Sequence, residues 1–366
     1  MKTSFDLEHQ DGDARAGVVT TARGTFTTPC FMPVGTRGAV KHLASSDMEA
    51  LGAQVILANN YHLLLRPGPD VVETLGGLHA MADWNGHMLT DSGGYQVFSL
   101  EPKIDDEGAT FKSVYDGGKH KMTPESAVAS QIAIGADIQM VLDVCSALPS
   151  PDHVIREALD RTAAWADRAR RSFLEHDSAP SWQSQFGIVQ GGLDLSMRAE
   201  SADRTVALDF DGYAIGGLSV GEHRSEWHAP LASATGRLPV DQPRYFMGLG
   251  DPAGIVDAVA RGIDMFDCVL PTRLARHGTL LTDAGRVNLT RAEFATSDEP
   301  IQPDGPASRW SKGYLRHLLQ VKEPTAARLL TLHNLWWLLK FVDEMRDAIR
   351  EGRFEAFASD THAIWS

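Results

Sequence analysis

Three aspartates, Asp91, Asp143 and Asp267, each stand at the end of a short apolar run, and Asn59 and Gln190 stand at the ends of two more. Two carboxylates facing each other across a pocket suit substitution at an anomeric carbon. One attacks the sugar carbon as positive charge builds, and the other moves protons on the leaving group. Asp267 lies in Met265-Phe266-Asp267-Cys268-Val269, an apolar setting that limits hydration of its carboxylate. Asp91 lies in Thr90-Asp91-Ser92-Gly93-Gly94, a tighter turn with donors nearby. Such different surroundings can divide a carboxylate pair into nucleophile and acid/base. The third carboxylate, Asp143, with Gln190 and the Gly216-Gly217 backbone, makes a reader for a guanine-like edge. The carboxylate accepts paired N–H donors, while an amide and a backbone N–H donate to the carbonyl. Tyr95 can stack on one face of such a base and Met247 can cover the other.

These residues need elements that bring them to one place. Eight short runs recur along the chain: Thr28–Val34, Gln54–Asn59, His87–Asp91, Asp137–Asp143, Gln185–Gln190, Gly212–Gly217, Arg244–Gly248 and Met265–Val269. Most are continuously apolar, as buried parallel strands are. Helical patterns lie between them, among them Ser126–Ile134 after a Thr-Pro-Glu start, Pro151–His176 and Pro252–Gly262. Eight strands alternating with helices predict a (β/α)8 TIM barrel, whose strand C-termini converge on the active face. A lone strand-end Asp is commonly a turn or cap residue. Three of them with an Asn and a Gln on one face point to a site instead. The barrel with its insertions is expected over 1–300. A C-terminal helical subdomain packed on it, as one structural unit, is expected over 301–366. There Ser311–Lys322 and Pro324–Gly352 read as helices, the second with a docking stripe of Leu329, Leu332, Leu335, Trp336, Leu339, Val342 and Met345.

Charge narrows the partners. The chain has 34 Lys and Arg against 48 Asp and Glu, a net −14. That balance opposes a general nucleic-acid binder. Residues 261–328 depart from it, with 10 basic and 8 acidic residues, so a polyanion is expected there if anywhere. Three widely spaced cysteines, Cys30, Cys145 and Cys268, suggest no disulfide framework and a reducing, cytoplasmic setting. Neither a secretory leader nor a membrane span is expected. Gly248–Gly254 has the look of a dinucleotide loop, but its third glycine is misplaced and Pro252 intrudes.

Long stretches then carry a resemblance. Thr90–Leu100 (TDSGGYQVFSL), Gly187–Gly192 (GIVQGG), Gly212–Glu222 (GYAIGGLSVGE), Gly262–Arg273 (GIDMFDCVLPTR) and His333-Asn334-Leu335 resemble the bacterial tRNA-guanine transglycosylases, the queuine tRNA-ribosyltransferase family. The likeness runs from about Phe5 to the last helix. It implies a pentosyltransferase that exchanges guanine at the tRNA anticodon wobble position for a 7-deazaguanine, on the route to queuosine. Asp267 would be the nucleophile on ribose C1′ and Asp91 the general acid/base. Asp143, Gln190, Gly217 and Leu218 would bind the base between Tyr95 and Met247, with Ser92, Asn59 and Val220 completing the pocket. Arg273 falls in the family's anticodon-contacting loop, and Arg276, Lys312 and Arg316 would also meet RNA. The target base must leave its stack, which suits a single-stranded loop. Trp310, Tyr314 and His317 resemble the family's aromatic homodimer patch.

Two departures stand out. The family holds a structural zinc with three cysteines and a histidine, whereas the corresponding loop here, Pro303–Trp310, has no cysteine and only His333 remains. One histidine is not a zinc site, so no metal and no cofactor are expected. At Asp143-Val144-Cys145 the bacterial pattern has Glu where this chain has Val144, while Val220 is bacterial in type. The incoming base stays open among preQ1, preQ0 and related small 7-deazaguanines. Two alternatives also stay open: the same exchange on DNA or another RNA, and a non-catalytic tRNA-binding partner subunit.

Overall fold

The computed structural model describes residues 3–177 and 181–366. Eight parallel strands form the centre: β1 (Cys30–Pro33), β2 (Val55–Asn59), β3 (His87–Asp91), β4 (Ile138–Met140), β5 (Ser184–Val189), β6 (Gly212–Ile215), β7 (Arg244–Phe246) and β8 (Met265–Cys268). From β2 onward each pairs with the next in chain order, and β8 pairs with β1. A parallel bridge between Val34 and Leu57 closes the ring between β1 and β2. This is the TIM barrel expected from the eight apolar runs. The observed strands lie inside the expected ones except that β5 begins one residue earlier, at Ser184, and β4 stops three residues before Asp143.

The helices follow their start signals. Thr123 caps helix Pro124–Ile134 by accepting the Ser126 N–H, with Pro124 in the first turn. Asp152–Glu175 and Pro252–Val259 also lie where expected. Three parts are additions to the sequence reading. An antiparallel sheet of Ser4–Asp11, Ala14–Thr21 and Gly24–Thr28 precedes the barrel. A second three-stranded sheet, Lys103–Ile104, Ala109–Lys112 and Lys119–Met122, is inserted after β3. A hairpin, Thr279–Thr282 with Gly285–Asn288, follows β8.

The first of these sheets plugs the barrel floor. Arg15 pairs with Asp264 just before β8, Arg23 with Asp137 just before β4, and the Thr3 and Ser184 hydroxyls meet at the start of β5. Helix Pro324–Arg350 also reaches the floor, where Arg346 donates to the Pro29 carbonyl. Its buried stripe corrects the expected one. Leu329, Leu335, Val342 and Met345 are buried as expected, but Trp337 and Leu338 are buried while Trp336 and Leu339 are only half-buried. The helix serves two partners, and its face turns between them. Leu329 and Leu330 join a small cluster with Ala275, Leu280, Leu289, Ala307 and Leu315, whereas Leu335 to Ile349 join the main core.

Candidate active site

Aspartates occur at both ends of the barrel strands, and their partners separate them. At the floor, Asp137, Asp211 and Asp264 each accept an amide from the first two residues of a neighbouring strand, those of Met88, Gln185 and Arg244. Each also pairs with an arginine: Arg23, Arg170 and Arg15. These are structural pins. At the opposite end, no Lys, Arg or His among the described residues pairs with Asp91, Asp143 or Asp267. Carboxylates held without a counter-charge in an enclosed place are costly, and such groups gather at sites of chemistry.

The three surround one cavity of about 490 Å³. Asp267, on β8, directs Oδ1 at two donors, the Tyr245 hydroxyl at 2.5 Å and the Gly248 N–H at 2.7 Å. No donor among the described residues reaches its Oδ2. Burial raises the Asp267 pKa, and the two donors oppose that rise by favouring the charged form. Asp91, the last residue of β3, accepts Asn59 Nδ2 at 2.6 Å on Oδ2 and the N–H groups of Gly93 and Asn60 at 3.1 and 3.2 Å on Oδ1. Its pKa is pushed up to about 7, by burial first and then by the charge of Asp267. Two donors thus favour the charged form of Asp267 against its burial, while Asp91 is able to hold or release a proton near neutrality.

Asn59 does two jobs. Its Nδ2 serves Asp91 while its Oδ1 accepts the His62 N–H and caps helix Asn60–Leu65. A cap residue is thereby made part of the site.

Asp143 is buried beside the cavity and accepts Gln190 Nε2 at 2.6 Å. Burial pushes its pKa up to about 6. Gln190 itself stands behind the lining, against the glycine pair after β6. A Cβ on Gly216 would lie 2.6 Å from Gln190 Nε2, and one on Gly217 2.3 Å from its Oε1. Both positions must be glycine for Gln190 to lie here. Arg198, fully buried, fixes the same corner by donating to the carbonyls of Gly192, Val189, Gly216 and Gly217 over 2.8 to 3.1 Å. Because a trans peptide sets C=O and N–H opposite, the Leu218 N–H points away from Arg198.

The cavity brings together Asp91, Asp143, Asp267, Gly217, Leu218, Tyr95, Met247, Ser92, Asn59, Val220 and Arg273. Tyr95 is 64% exposed at the mouth, free to meet a planar ligand. Arg276, Lys312 and Arg316 lie outside. Arg276 contacts Thr272, Lys312 pairs with Glu299, and Arg316 is held by the Arg291 carbonyl and Gln320. Val144 also stays out. Its side chain packs with Tyr61, Val97, Leu142 and Trp165, its N–H donates to Thr162, and Cys145 takes the place on the wall. Tyr245 and Arg198 are the functional residues that sequence reading missed. Arg198 had a signal, since it shares the helix stripe of Ser201, Ala202 and Thr205, a charge on a buried face.

A zinc does not fit this chain. His333 is buried, its Nε2 meets the Leu281 carbonyl at 2.9 Å, and its Nδ1 has no partner. What faces Nδ1 is Gly305, where a Cβ would lie 3.4 Å away. Among the described residues no three His, Cys, Asp or Glu side chains converge to hold a metal. The three cysteines are free thiols. Tyr314 and His317 are exposed on helix Lys312–Gln320, and Trp310 is half-buried before it.

Residues 10–366 match the family model described as queuine tRNA-ribosyltransferase. The chain is similar to the queuine tRNA-ribosyltransferase of Solidesulfovibrio magneticus, 47% identical over 99% of this chain and 98% of the relative. It is 47% identical to that of Herpetosiphon aurantiacus, over 98% and 91%, and 48% identical to that of Desulfosudis oleivorans, over 96% and 93%.

Proposed function

The chain belongs to the queuine tRNA-ribosyltransferase family, and on that footing we propose that it exchanges guanine at the tRNA anticodon wobble position for a small 7-deazaguanine through a covalent aspartyl-ribose intermediate. The observation that carries the reading is the cavity with Asp267 on one wall, Oδ1 doubly held and Oδ2 free, and Asp91 coupled to it by charge.

The steps follow from those atoms. Oδ2 of Asp267 attacks ribose C1′ as the bond to the guanine nitrogen breaks, and the bond pair leaves with the base. Asp91 in its acid form gives the departing base a proton. As a carboxylate it then takes the proton from the same nitrogen of the incoming base, whose lone pair attacks C1′ and releases Asp267. Asp143, ionised above about pH 6 and held from behind by Gln190, accepts the paired N–H donors of the base edge, and the Leu218 N–H donates to its carbonyl. Tyr95 and Met247 sandwich the ring, with Ser92, Asn59 and Val220 around it. Arg273 at the cavity edge, with Arg276, Lys312 and Arg316 beyond it, meets the RNA. No step needs a metal. The Trp310, Tyr314 and His317 surface joins two copies. No described helix is long and apolar enough to cross a membrane, and we place the enzyme in the cytoplasm with its substrate.

Washout of labelled guanine from tRNA by unlabelled 7-deazaguanines tests the reading, with Asp267→Asn as control. Release that needs Asp267 supports it, and retention of the label with every base tried overturns it.

A further inference from the structure

The positive charge of the site face is carried by three neighbouring rim segments. They follow β8, β1 and β2, which are adjacent around the barrel. Residues 268–278 hold Arg273 and Arg276, residues 34–43 hold Arg37 and Lys41, and residues 60–68 hold Arg66. None of the three contains an Asp or Glu. Many arginines elsewhere are neutralised, as Arg156 and Arg204 are by Glu200 and Asp160, and Arg328 by Asp47. No carboxylate among the described residues pairs with the five rim cations. In a chain of net −14, this arc is a local reversal of field.

Two of the five converge. The guanidinium carbons of Arg37 and Arg66 lie 5.3 and 4.9 Å from the centroid of the Tyr115 ring. Tyr115 comes from the turn between the last two strands of the inserted sheet, and its hydroxyl sits 2.8 Å from Nδ1 of His62, which lines the cavity. The ring face attracts both cations but neutralises neither. Like charges gathered on one support repel until an anion joins them.

We propose that Arg37 and Arg66, seated on Tyr115, clamp a phosphodiester of the RNA strand beside the nucleotide that enters the cavity. The inference rests on the base-exchange reading for the identity of that strand. The guanidinium fork matches phosphate oxygens in pairs. The arc from Arg273 to Arg66 spans three rim segments, the footprint of a linear polyanion rather than of a single small anion. The inserted sheet then has a purpose, which is to carry Tyr115 to the rim.

The test uses the whole chain with Arg37→Gln and Arg66→Gln combined, and the matching pair of Lys substitutions. Affinity for an anticodon stem-loop hairpin is measured against salt, beside KM for tRNA and for the free base. The Gln pair is expected to raise KM for tRNA about tenfold or more, leave kcat and the base KM unchanged, and flatten the plot of log affinity against log salt by about 1 to 2. The Lys pair is expected to keep the wild-type slope, because it keeps the charge. A folded Gln pair with wild-type slope and tRNA KM overturns the clamp. The slope does not depend on chemistry. A wild-type chain that exchanges no base but loses slope in the Gln pair would support the clamp while sinking the exchange reading.

Discussion

The Tyr245 hydroxyl donates to Oδ1 of Asp267 over 2.5 Å, on the oxygen that also takes the Gly248 N–H. Two donors on one oxygen turn the other to the sugar. Tyr245→Phe is expected to lower kcat by about tenfold to a hundredfold with little change in either KM, because the lost donor acts on the reacting group and not on binding. Single-turnover trapping of the covalent RNA adduct checks this. An adduct forming at the wild-type rate would remove Tyr245 from the positioning of Asp267.

Asp91 predicts a pH dependence. With its pKa pushed up to about 7, the carboxylate form that takes a proton from the incoming base fades below that pH. The acid form that protonates the departing base fades above it, so the rate of base exchange should peak near pH 7 and fall on both sides. Asn59 donates to the charged form, so Asn59→Ala should move the peak upward. A pH profile of the variant that matches wild type would refute the link.

The same shift has a cost in stability. The folded state holds the Asp91 proton more tightly than the unfolded chain, whose carboxyl titrates near the ordinary 3.8. The Asp91 contribution to stability is therefore fullest below about pH 4 and is lost as pH rises through about 7. Asp91→Asn should raise the unfolding free energy at pH 8 by about 2 kcal/mol, a gain that vanishes toward pH 4, while abolishing exchange. Denaturant titrations at the two pH values measure it.

Arg198 holds four carbonyls at the corner where the base edge is read. Arg198→Met leaves them buried without donors and is expected to cost about 2–4 kcal/mol. The free base should show the larger rise in KM, and tRNA the smaller. Equal rises would mean that the variant loosens the whole rim.

The loop without cysteines predicts a metal-free protein. The bridge between Pro300 and Ser311 closes it, and Ala307 is buried in the small cluster with Leu315 and Leu330. Elemental analysis should find no stoichiometric zinc, and a chelator should leave the melting temperature unchanged. One zinc per chain would overturn this.

Much of this was legible in the sequence, and the limits have physical causes. The eight strands were visible because each is buried on both faces and reads as an apolar run. Asp91 and Asp267 were visible because they end those runs. The N-terminal and inserted sheets were missed. Strand Ser4–Asp11 is exposed at most positions, so its composition does not betray it. Tyr245 and Arg198 were missed because their roles depend on a neighbouring strand and on backbone carbonyls, which no spacing along one chain shows. Val144 was singled out because the bacterial pattern has Glu there, yet its side chain turns to the core. The chain leaves β4 before Asp143, and the side chains beyond it turn alternately to cavity and core.

Arg346 on the long late helix holds the Pro29 carbonyl, directly before β1. The first strand of the barrel thus waits for a segment made more than three hundred residues later. All the proposed catalytic side chains have left the ribosome before the floor can be sealed. Assembly of the working face is then a post-synthetic event, and a chain interrupted after Asp267 would carry the full chemical complement on an unsealed barrel.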